Sequence, residues 1–328
     1  MPNSLIYYTA RYRTFIQRVI PAVECSVLVA RDGGRVVGFL PFCIKSDARW
    51  GSVLNSQPFF GSHGGAVVVP DAHGRETIAA TLYAALFEIS RTRGIAALTI
   101  VENPLEPLSD TDQRAAGTEV VDHRIGQFTP LPGKADDAEE KIFSRLHVKT
   151  RNAVRKGRKA GLEIECTTDA AILSWFQRVH EESIISLGGV AKSLDIFRSL
   201  LAVFGPSGQI RLYVGRQGGR PVCGLLILLH QDTVEYYTPV VERESRESQV
   251  LSALIVEVMI ATAQEGYRTW NWGGTWPSQQ GVYRFKSRWG AEERPYRYHN
   301  HLFNPEITRT NKEEMLSTFP SFYVYRFA

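Results

Sequence analysis

Two stretches of the sequence decide the fold: VARDGGRVVGFL at residues 29–40 and VGRQGGRPVCGLL at residues 214–226, which match with one inserted residue. In each stretch, a pair of glycines separates two strand-like segments. Paired glycines supply the positive φ that tight hairpin turns demand, so each stretch predicts a β-hairpin. The same hairpin at two places indicates an internal duplication.

A helix and a strand follow each hairpin in the same order. Residues 82–94 and 254–266 align without a gap, and both show a helical apolar pattern that ends at a glycine suited to a helix C-cap. The strand-like segments 95–100 and 267–272 come directly afterwards. This repeated order predicts two similar α/β domains, each with a mixed, mostly antiparallel sheet flanked by helices.

The predicted domain boundary lies where turn residues cluster. The length of 328 residues suits two domains of ordinary size. Residues 126–133, GQFTPLPG, are typical of a turn or linker. We therefore predict a first domain over residues 1–128 and a second domain over residues 129–328, with the active site in the second.

Composition narrows the class of protein. With 44% hydrophobic and 22% charged residues, the chain is typical of folded globular proteins. Its apolar runs are strand-sized and its N-terminal region lacks the pattern of a signal peptide, so we expect no membrane span and a cytoplasmic location. The four cysteines lie singly, and we interpret them as reduced packing residues. No metal-ligand cluster, Ser-His-Asp order or phosphate-binding loop supports a metalloenzyme, hydrolase or NTPase.

The strongest local charge feature is a basic segment at residues 145–159, which holds seven cations and no acid. Arg151, Arg155 and Arg158 recur there at helical spacing and would line one face of a helix. Such a face suits the phosphates of a nucleotide-linked substrate or of a tRNA backbone. A solvated charged face is the alternative. The net charge of +4 permits a phosphate-bearing partner but does not by itself indicate nucleic-acid binding.

The basic helix, the second hairpin, the Tyr236-Tyr237 pair and the segment GVYRFKSRWG at residues 281–290 together resemble the FemABX-type transferases of the GNAT superfamily. The resemblance covers the second half of the chain well and the first half in outline. It implies two tandem GNAT-like (acyl-CoA N-acyltransferase-like) domains. It also implies an enzyme that transfers an aminoacyl or acyl group to an amine of a phosphate-bearing cell-envelope (peptidoglycan) precursor or of a small metabolite.

The sequence departs from the family at two places that concern the acyl donor. Residues 177–205 are too short and too apolar for the helical arm with which some family members bind tRNA. Residues 241–248 lack the glycines of the pyrophosphate loop of CoA-dependent enzymes, and their glutamates would repel a pyrophosphate. The resemblance therefore implies an activated acyl donor as co-substrate, aminoacyl-tRNA or acyl-CoA, and no tightly bound cofactor or metal. A CoA-dependent N-acetyltransferase and a non-catalytic binding scaffold remain the alternatives.

Acyl transfer to an amine needs a positive group for the oxyanion and controlled placement of both reactants. The Phe-Lys pair of the family matches Phe285-Lys286, and the resemblance implies that this lysine stabilises the developing charge. Tyr283 lies one turn away on the same predicted helix. The alternative for Lys286 is a surface lysine in a salt bridge with Glu292 or Glu293.

Further candidates lie on strands and loops. Tyr236 and Tyr237 occupy consecutive strand positions and face opposite sides, so one is available to donate a proton or orient a substrate; packing is the alternative. Trp276 follows a strand end and would line a cleft. His63 lies in a Gly-rich loop and is either a general base or a structural residue. The predicted catalytic residues are Lys286, Tyr237 and Phe285, and the predicted substrate-binding residues are Arg151, Arg155, Arg158, His63, Tyr236, Trp276 and Tyr283.

Overall fold

The computed structural model of the protein describes residues 4–59, 61, 63–117 and 119–325. Its strands, in chain order, are β1 (Val23–Asp32), β2 (Arg35–Asp47), β3 (Gly51–Asn55), β4 (Val67–Val68), β5 (Ile95–Val101), β6 (Val120–Pro130), β7 (Glu163–Cys166), β8 (Ile210–Gln217), β9 (Arg220–His230), β10 (Thr233–Val241), β11 (Thr269–Thr275) and β12 (Glu292–Leu302). Its α-helices are α1 (Ala10–Val19), α2 (Arg75–Thr92), α3 (Asp110–Ala115), α4 (Ala138–Arg145), α5 (Val148–Lys159), α6 (Ala170–Ser186), α7 (Leu194–Phe204), α8 (Val250–Gln264), α9 (Gln280–Ser287) and α10 (Lys312–Thr318).

The chain forms two compact units, which differ in one respect from the predicted domains. Unit 1 comprises Met1–Ile125 and Arg294–Ala328, and unit 2 comprises Gly126–Glu293. The prediction that the second domain continues to residue 328 is wrong, because the C-terminal segment returns to unit 1. There β12 pairs antiparallel with β5. Of the turn-rich residues 126–133 at the predicted boundary, residues 126–130 belong to β6 instead of a linker.

Unit 1 contains the first copy of the repeat. Its strands lie in the order β1-β2-β3-β5-β12, and β4 pairs with β2. β3 and β5 run parallel, whereas β1 with β2 and β2 with β3 are antiparallel. The first hairpin turns at Gly33 and Gly34, whose φ values of 51° and 83° confirm the conformation predicted for the glycine pair. Leu82 on α2 packs in one apolar cluster with Leu40 and Leu98 of the sheet.

Unit 2 contains the second copy, with the strand order β11-β10-β9-β8-β7. β10 and β11 run parallel, and the pairs β7–β8, β8–β9 and β9–β10 are antiparallel. The second hairpin turns at Gly218 and Gly219, again with positive φ. The predicted fold class of two α/β units, each with a mixed and mostly antiparallel sheet, is therefore confirmed.

Helices cover both faces of the sheet in unit 2. Leu225 and Ile227 of β9 pack in the same cluster as Leu254 of α8. Gly224, the residue before Leu225, faces α6, where a Cβ atom would lie 2.9 Å from the ring of Phe176. α8 is apolar on most sides, as is typical of a buried helix. Over the described part of the chain, neither α8 nor another helix combines the length and apolar character needed to cross a membrane.

Two of the cysteines correct the sequence-based interpretation. Cys25 on β1 and Cys43 on β2 occupy directly opposite positions of the antiparallel pair and form a disulfide. The register brings together residues that are 18 positions apart, which their spacing in the sequence does not show. Cys223 is a free, buried residue, and burial raises the pKa of its thiol to about 12. The packing interpretation therefore fits Cys223 but is wrong for the bonded pair.

Candidate active site

The candidate site lies where the two parallel strands of unit 2 diverge. β10 and β11 pair over only three residues, from Thr233 with Thr269 to Glu235 with Asn271. The pairing of β10 with β9 shifts register between Tyr236 and Thr238, as in a β-bulge. Both strands continue beyond their last shared pair, β10 to Val241 and β11 to Thr275, without pairing with each other there.

Lys286 of α9 lies at the end of β11. Its side chain is almost entirely buried, with 6% of the residue exposed. Its Nζ donates to the carbonyl oxygens of Gly273 and Gly274, at 3.2 and 3.0 Å, and to Oγ1 of Thr275 at 2.8 Å. Burial lowers the pKa of Lys286 to about 8. The alternative interpretation of a surface lysine is therefore wrong.

Gln127 of β6 fixes α9 against the end of β11. Its Nε2 donates to the carbonyl oxygen of Tyr283 and to Oγ of Ser287, at 3.2 and 3.0 Å. Its Oε1 accepts from Oγ1 of Thr275 at 3.2 Å. Since Thr275 also accepts from Lys286, a buried chain of hydrogen bonds positions the ammonium.

An aromatic cluster adjoins the lysine. The ring of Trp272 lies 4.8 Å from that of Tyr236 and 5.9 Å from that of Phe285, measured between centroids. Its Nε1 donates to Oγ1 of Thr129 at 2.8 Å, which fixes the indole. Tyr236 and Phe285 thus both contact the same tryptophan. Phe285 is 38% exposed, which leaves part of its ring available to a ligand.

Tyr237, at the irregular position of β10, has a different neighbour. Its hydroxyl is buried and has no hydrogen-bond partner among the described residues. Nζ of Lys192 lies 5.1 Å from the centroid of the Tyr237 ring. Burial lowers the pKa of Lys192 to about 8. The backbone N–H of Lys192 donates to Nε2 of His180 at 3.1 Å, which holds the start of α7 against α6.

The basic segment is confirmed as a helix, α5, but its cations have different surroundings. Arg158 donates to Glu257 and to Glu139, both at 2.7 Å. Arg151 donates to a backbone carbonyl, and Arg155 is exposed with a long contact to the neighbouring Asn152. The sequence showed no acid in this segment, and the acids that pair with Arg158 come from α4 and α8. Arg158 is therefore already paired with two acids, whereas Arg155 remains exposed to solvent.

His63 lies in unit 1 and is fully buried. Its ring makes edge contacts with Tyr7 and Tyr296, and its Nδ1 lies 3.2 Å from the carbonyl oxygen of Glu102. Burial lowers the pKa of His63 to about 4. A buried imidazole with so low a pKa is a weak base, so these surroundings fit the structural alternative better than a general base.

The last two predicted binding residues flank the turn into α9. The hydroxyl of Tyr283 donates to Glu293, and this bond raises the pKa of the tyrosine. Trp276 is half-buried directly after β11, and its backbone N–H donates to Oε1 of Gln279. Trp276 therefore lies on the segment that joins β11 to α9, and Tyr283 lies on α9 itself, the helix of Lys286.

The glutamates before α8 are less repulsive than the sequence suggested. Glu242 accepts from Nε1 of Trp175 at 2.7 Å and from the guanidinium of Arg178 at 2.5 Å. Only 14% of its side chain is exposed. Glu244 and Glu247 remain exposed. One of the charges that argued against a pyrophosphate is thus compensated.

Sequence reasoning missed Gln127, Thr275 and Lys192. Gln127 lies in a segment whose glycines and prolines are typical of a linker, and Lys192 lies in a loop without a motif. Only the tertiary structure brings Lys192 to Tyr237. Within the described ranges, no group of three or more His, Cys, Asp or Glu side chains could hold a metal ion.

Comparison with known proteins identifies the fold. Residues 144–287 match the family described as "Acetyltransferase (GNAT) domain". The structure of FemX superposes with a TM-score of 0.72 at 12% identity and covers 94% of both chains. No curated protein matches the sequence.

Two further solved structures have the same arrangement. A tandem GNAT protein from the clavulanic acid biosynthesis pathway has a TM-score of 0.52 at 15% identity and covers 88% of this chain and 86% of its own. L-PGS from Bacillus licheniformis has a TM-score of 0.53 at 11% identity and covers 90% and 87%. At these identities the similarity shows the fold alone. The tandem fold that the resemblance to the FemABX-type proteins implied is thereby confirmed, and residues 144–287 match the GNAT-domain family.

Proposed function

We propose that the protein is an N-acyltransferase that moves an aminoacyl or acyl group to an amine on a phosphate-bearing cell-envelope precursor or small metabolite. The observation that carries the proposal is the buried ammonium of Lys286, held where β10 and β11 diverge within a GNAT-type domain. A fold of this kind hosts several reactions, so the argument rests on the chemistry of the site.

The proposed reaction joins an amine to an activated carbonyl. The amine nitrogen attacks the acyl carbon, a C–N bond forms, and the carbonyl electrons move to oxygen. The intermediate collapses by breaking the C–O ester bond of an aminoacyl-tRNA or the C–S bond of an acyl-CoA. In this proposal Lys286 exchanges its longest hydrogen bond, to Gly273, for one to the oxyanion. A single donor of this type typically contributes about 2.7–4 kcal/mol to transition-state stabilisation.

Lys192 is the residue that we assign to accept the proton of the attacking amine. With a pKa of about 8, roughly a tenth of its side chains are neutral at pH 7. A base whose pKa lies near the working pH is effective. The adjacent hydroxyl of Tyr237 is buried and makes no hydrogen bond within the described chain, and a polar group of a bound substrate would satisfy it. Replacement of Lys192 by Gln should remove the rise in rate between pH 7 and 8 and leave the decline above pH 8 that deprotonation of Lys286 causes.

The phosphate-bearing character of the substrate is proposed from α5. Lys149, Arg155, Lys156 and Lys159 are exposed on this helix. Like charges at helical spacing repel one another, and an anionic ligand relieves that repulsion. If phosphate binding occurs there, Lys156→Gln should weaken substrate binding while the rate at saturating substrate stays unchanged.

A CoA-dependent reaction is the second candidate, and the contact between Glu242 and Arg178 favours it. This contact removes part of the repulsion that a pyrophosphate would meet at the start of α8.

Mass spectrometry of reaction products tests the proposal directly. The purified protein is incubated with charged tRNA or with a mixture of acyl-CoA thioesters, together with amines that include muropeptide precursors. A new amide with charged tRNA supports aminoacyl transfer, and one with acyl-CoA alone supports the second candidate. If neither donor gives an amide but a phosphate-bearing ligand co-purifies, the protein is a binding scaffold and the proposal is refuted.

A further inference from the structure

Unit 1 contains a small polar cavity that the proposed reaction does not use. Its volume is about 230 Å³, below the range of roughly 300–1,000 Å³ that is typical of sites for drug-sized ligands. The start of α2, the loop before α3 and the first turn of α3 line it. The charged residues among its lining are Arg75, Glu76, Glu106 and Asp112. Three carboxylates therefore share the cavity with one guanidinium.

Asp112 gives the cavity a buried acceptor. The residue is 7% exposed. Its Oδ2 accepts from the backbone N–H and the hydroxyl of Ser109, at 3.0 and 2.8 Å, in a capping box. Its Oδ1 is buried and has no hydrogen-bond partner in the part of the chain that the structure describes. A buried acceptor without a partner is costly, and a bound donor would relieve that cost.

Arg75 supplies the opposite charge. It is the first residue of α2, whose N-cap, Gly74, has no side chain to cap the helix. Its guanidinium lies 3.4 Å from Glu106 and 3.3 Å from the carbonyl oxygen of Val68, both long contacts for an arginine. About 39% of its side chain is exposed. A guanidinium at a helix N-terminus is well suited to a carboxylate.

We infer that this cavity binds a small zwitterionic α-amino acid, with its ammonium on the carboxyl group of Asp112 and its carboxylate on Arg75. The excess of carboxylates in the cavity fits the ammonium of the amino acid, and the small cavity volume limits the size of its side chain. Burial, together with the nearby charges of Asp112, Glu102 and Glu106, raises the pKa of Tyr83, which also lines the cavity. That effect is consistent with a negative potential that attracts an ammonium. The inference is independent of the proposed acyl transfer, because all of these residues belong to unit 1.

Isothermal titration calorimetry with the complete protein tests the inference. The probes are glycine, L-alanine and L-tryptophan, with methylammonium and acetate as the two halves of glycine. We expect saturable binding of glycine and L-alanine, weaker binding of each half, and no binding of L-tryptophan. Asp112→Asn and Arg75→Gln should each weaken glycine binding by about 10- to 100-fold, as expected for loss of a charge-assisted hydrogen bond.

Two controls make the result decisive. Arg35→Gln removes an exposed arginine of unit 1 that pairs with Asp71 at the surface, and it should bind glycine like the wild type. Circular dichroism confirms that each variant is folded. If Asp112→Asn disturbs the capping box and the fold, Arg75→Gln still tests the inference, because it leaves the capping box intact. Absence of saturable glycine and alanine binding to the wild type would overturn the inference. Methylammonium binding as tight as glycine binding, or unchanged binding by the folded Arg75→Gln variant, would overturn it as well.

Discussion

Replacement of Lys286 by Met should change how stability depends on pH. Burial lowers the pKa of Lys286 from 10.5 to about 8, so between these values the folded protein binds fewer protons than the unfolded chain. Stability contributed through this group therefore rises with pH across that window. The Met variant has no such group. The difference in unfolding free energy, wild type minus variant, should increase as the pH rises.

The magnitude follows from the two pKa values. The lowered pKa of Lys286 reduces the free energy of unfolding by about 3 kcal/mol at pH 7, where the folded lysine is charged, and by about 1.4 kcal/mol at pH 9.5, where it is mostly neutral. The wild type should therefore gain about 2 kcal/mol relative to Lys286→Met over this range. The absolute change in unfolding free energy also includes the loss of three hydrogen bonds. Only the change with pH reports the perturbed lysine.

Urea denaturation at a series of pH values between 7 and 9.5, followed by tryptophan fluorescence, measures this difference. Other titrating groups cancel between the two proteins. Lys156→Met, which removes an exposed lysine of α5, is the matched control and should show no comparable trend. If the wild-type and Lys286→Met stabilities change in parallel, within about 0.5 kcal/mol, the burial argument for Lys286 is refuted.

Two further pairs of substitutions test the packing and the disulfide. Gly157→Ala should destabilise unit 2 by at least about 2 kcal/mol, because its Cβ would lie 2.3 Å from the carbonyl oxygen of Gln249. Gly281→Ala, in open space on α9, should be neutral or stabilising by up to about 1 kcal/mol; equal urea midpoints for the two variants would contradict the α5–α8 packing. Cys43→Ser should lower stability by about 3 kcal/mol under non-reducing conditions, whereas Cys166→Ser, which removes a free thiol, should not. A reductant should abolish the difference between Cys43→Ser and wild type, and persistence of that difference would show that the disulfide is not its source.

The fold could be predicted where its signals are local. The glycine pairs at 33–34 and 218–219 require positive φ, and this requirement marks both hairpins and hence the duplication. The return of residues 294–328 to unit 1 depends on pairing between β12 and β5, strands separated by almost 200 positions. No local pattern specifies that partner. The Cys25–Cys43 disulfide is similar, because it depends on the register between two strands.

The candidate site could be predicted only in part for the same reason. Resemblance to a family located Phe285 and Lys286, but the surroundings that lower the pKa of the lysine come from β6 and β11. Burial of His63 and the acids paired with Arg158 likewise come from residues distant in sequence. A charge pattern read along one helix cannot show the charges that face it. The alternatives for His63 and Arg158 could therefore be distinguished only in the tertiary structure.

The most direct test of the central claim is the initial rate of amide formation by Lys286→Ala, measured by mass spectrometry with the donor and acceptor that the wild type uses. The account predicts a rate at saturating substrate at least about 100-fold below that of the wild type, with substrate binding largely retained. The control variant Arg284→Ala, which removes an exposed cation of the same helix, should keep its rate. A folded Lys286→Ala protein that forms the amide at the wild-type rate would contradict the assignment of Lys286 to the chemistry.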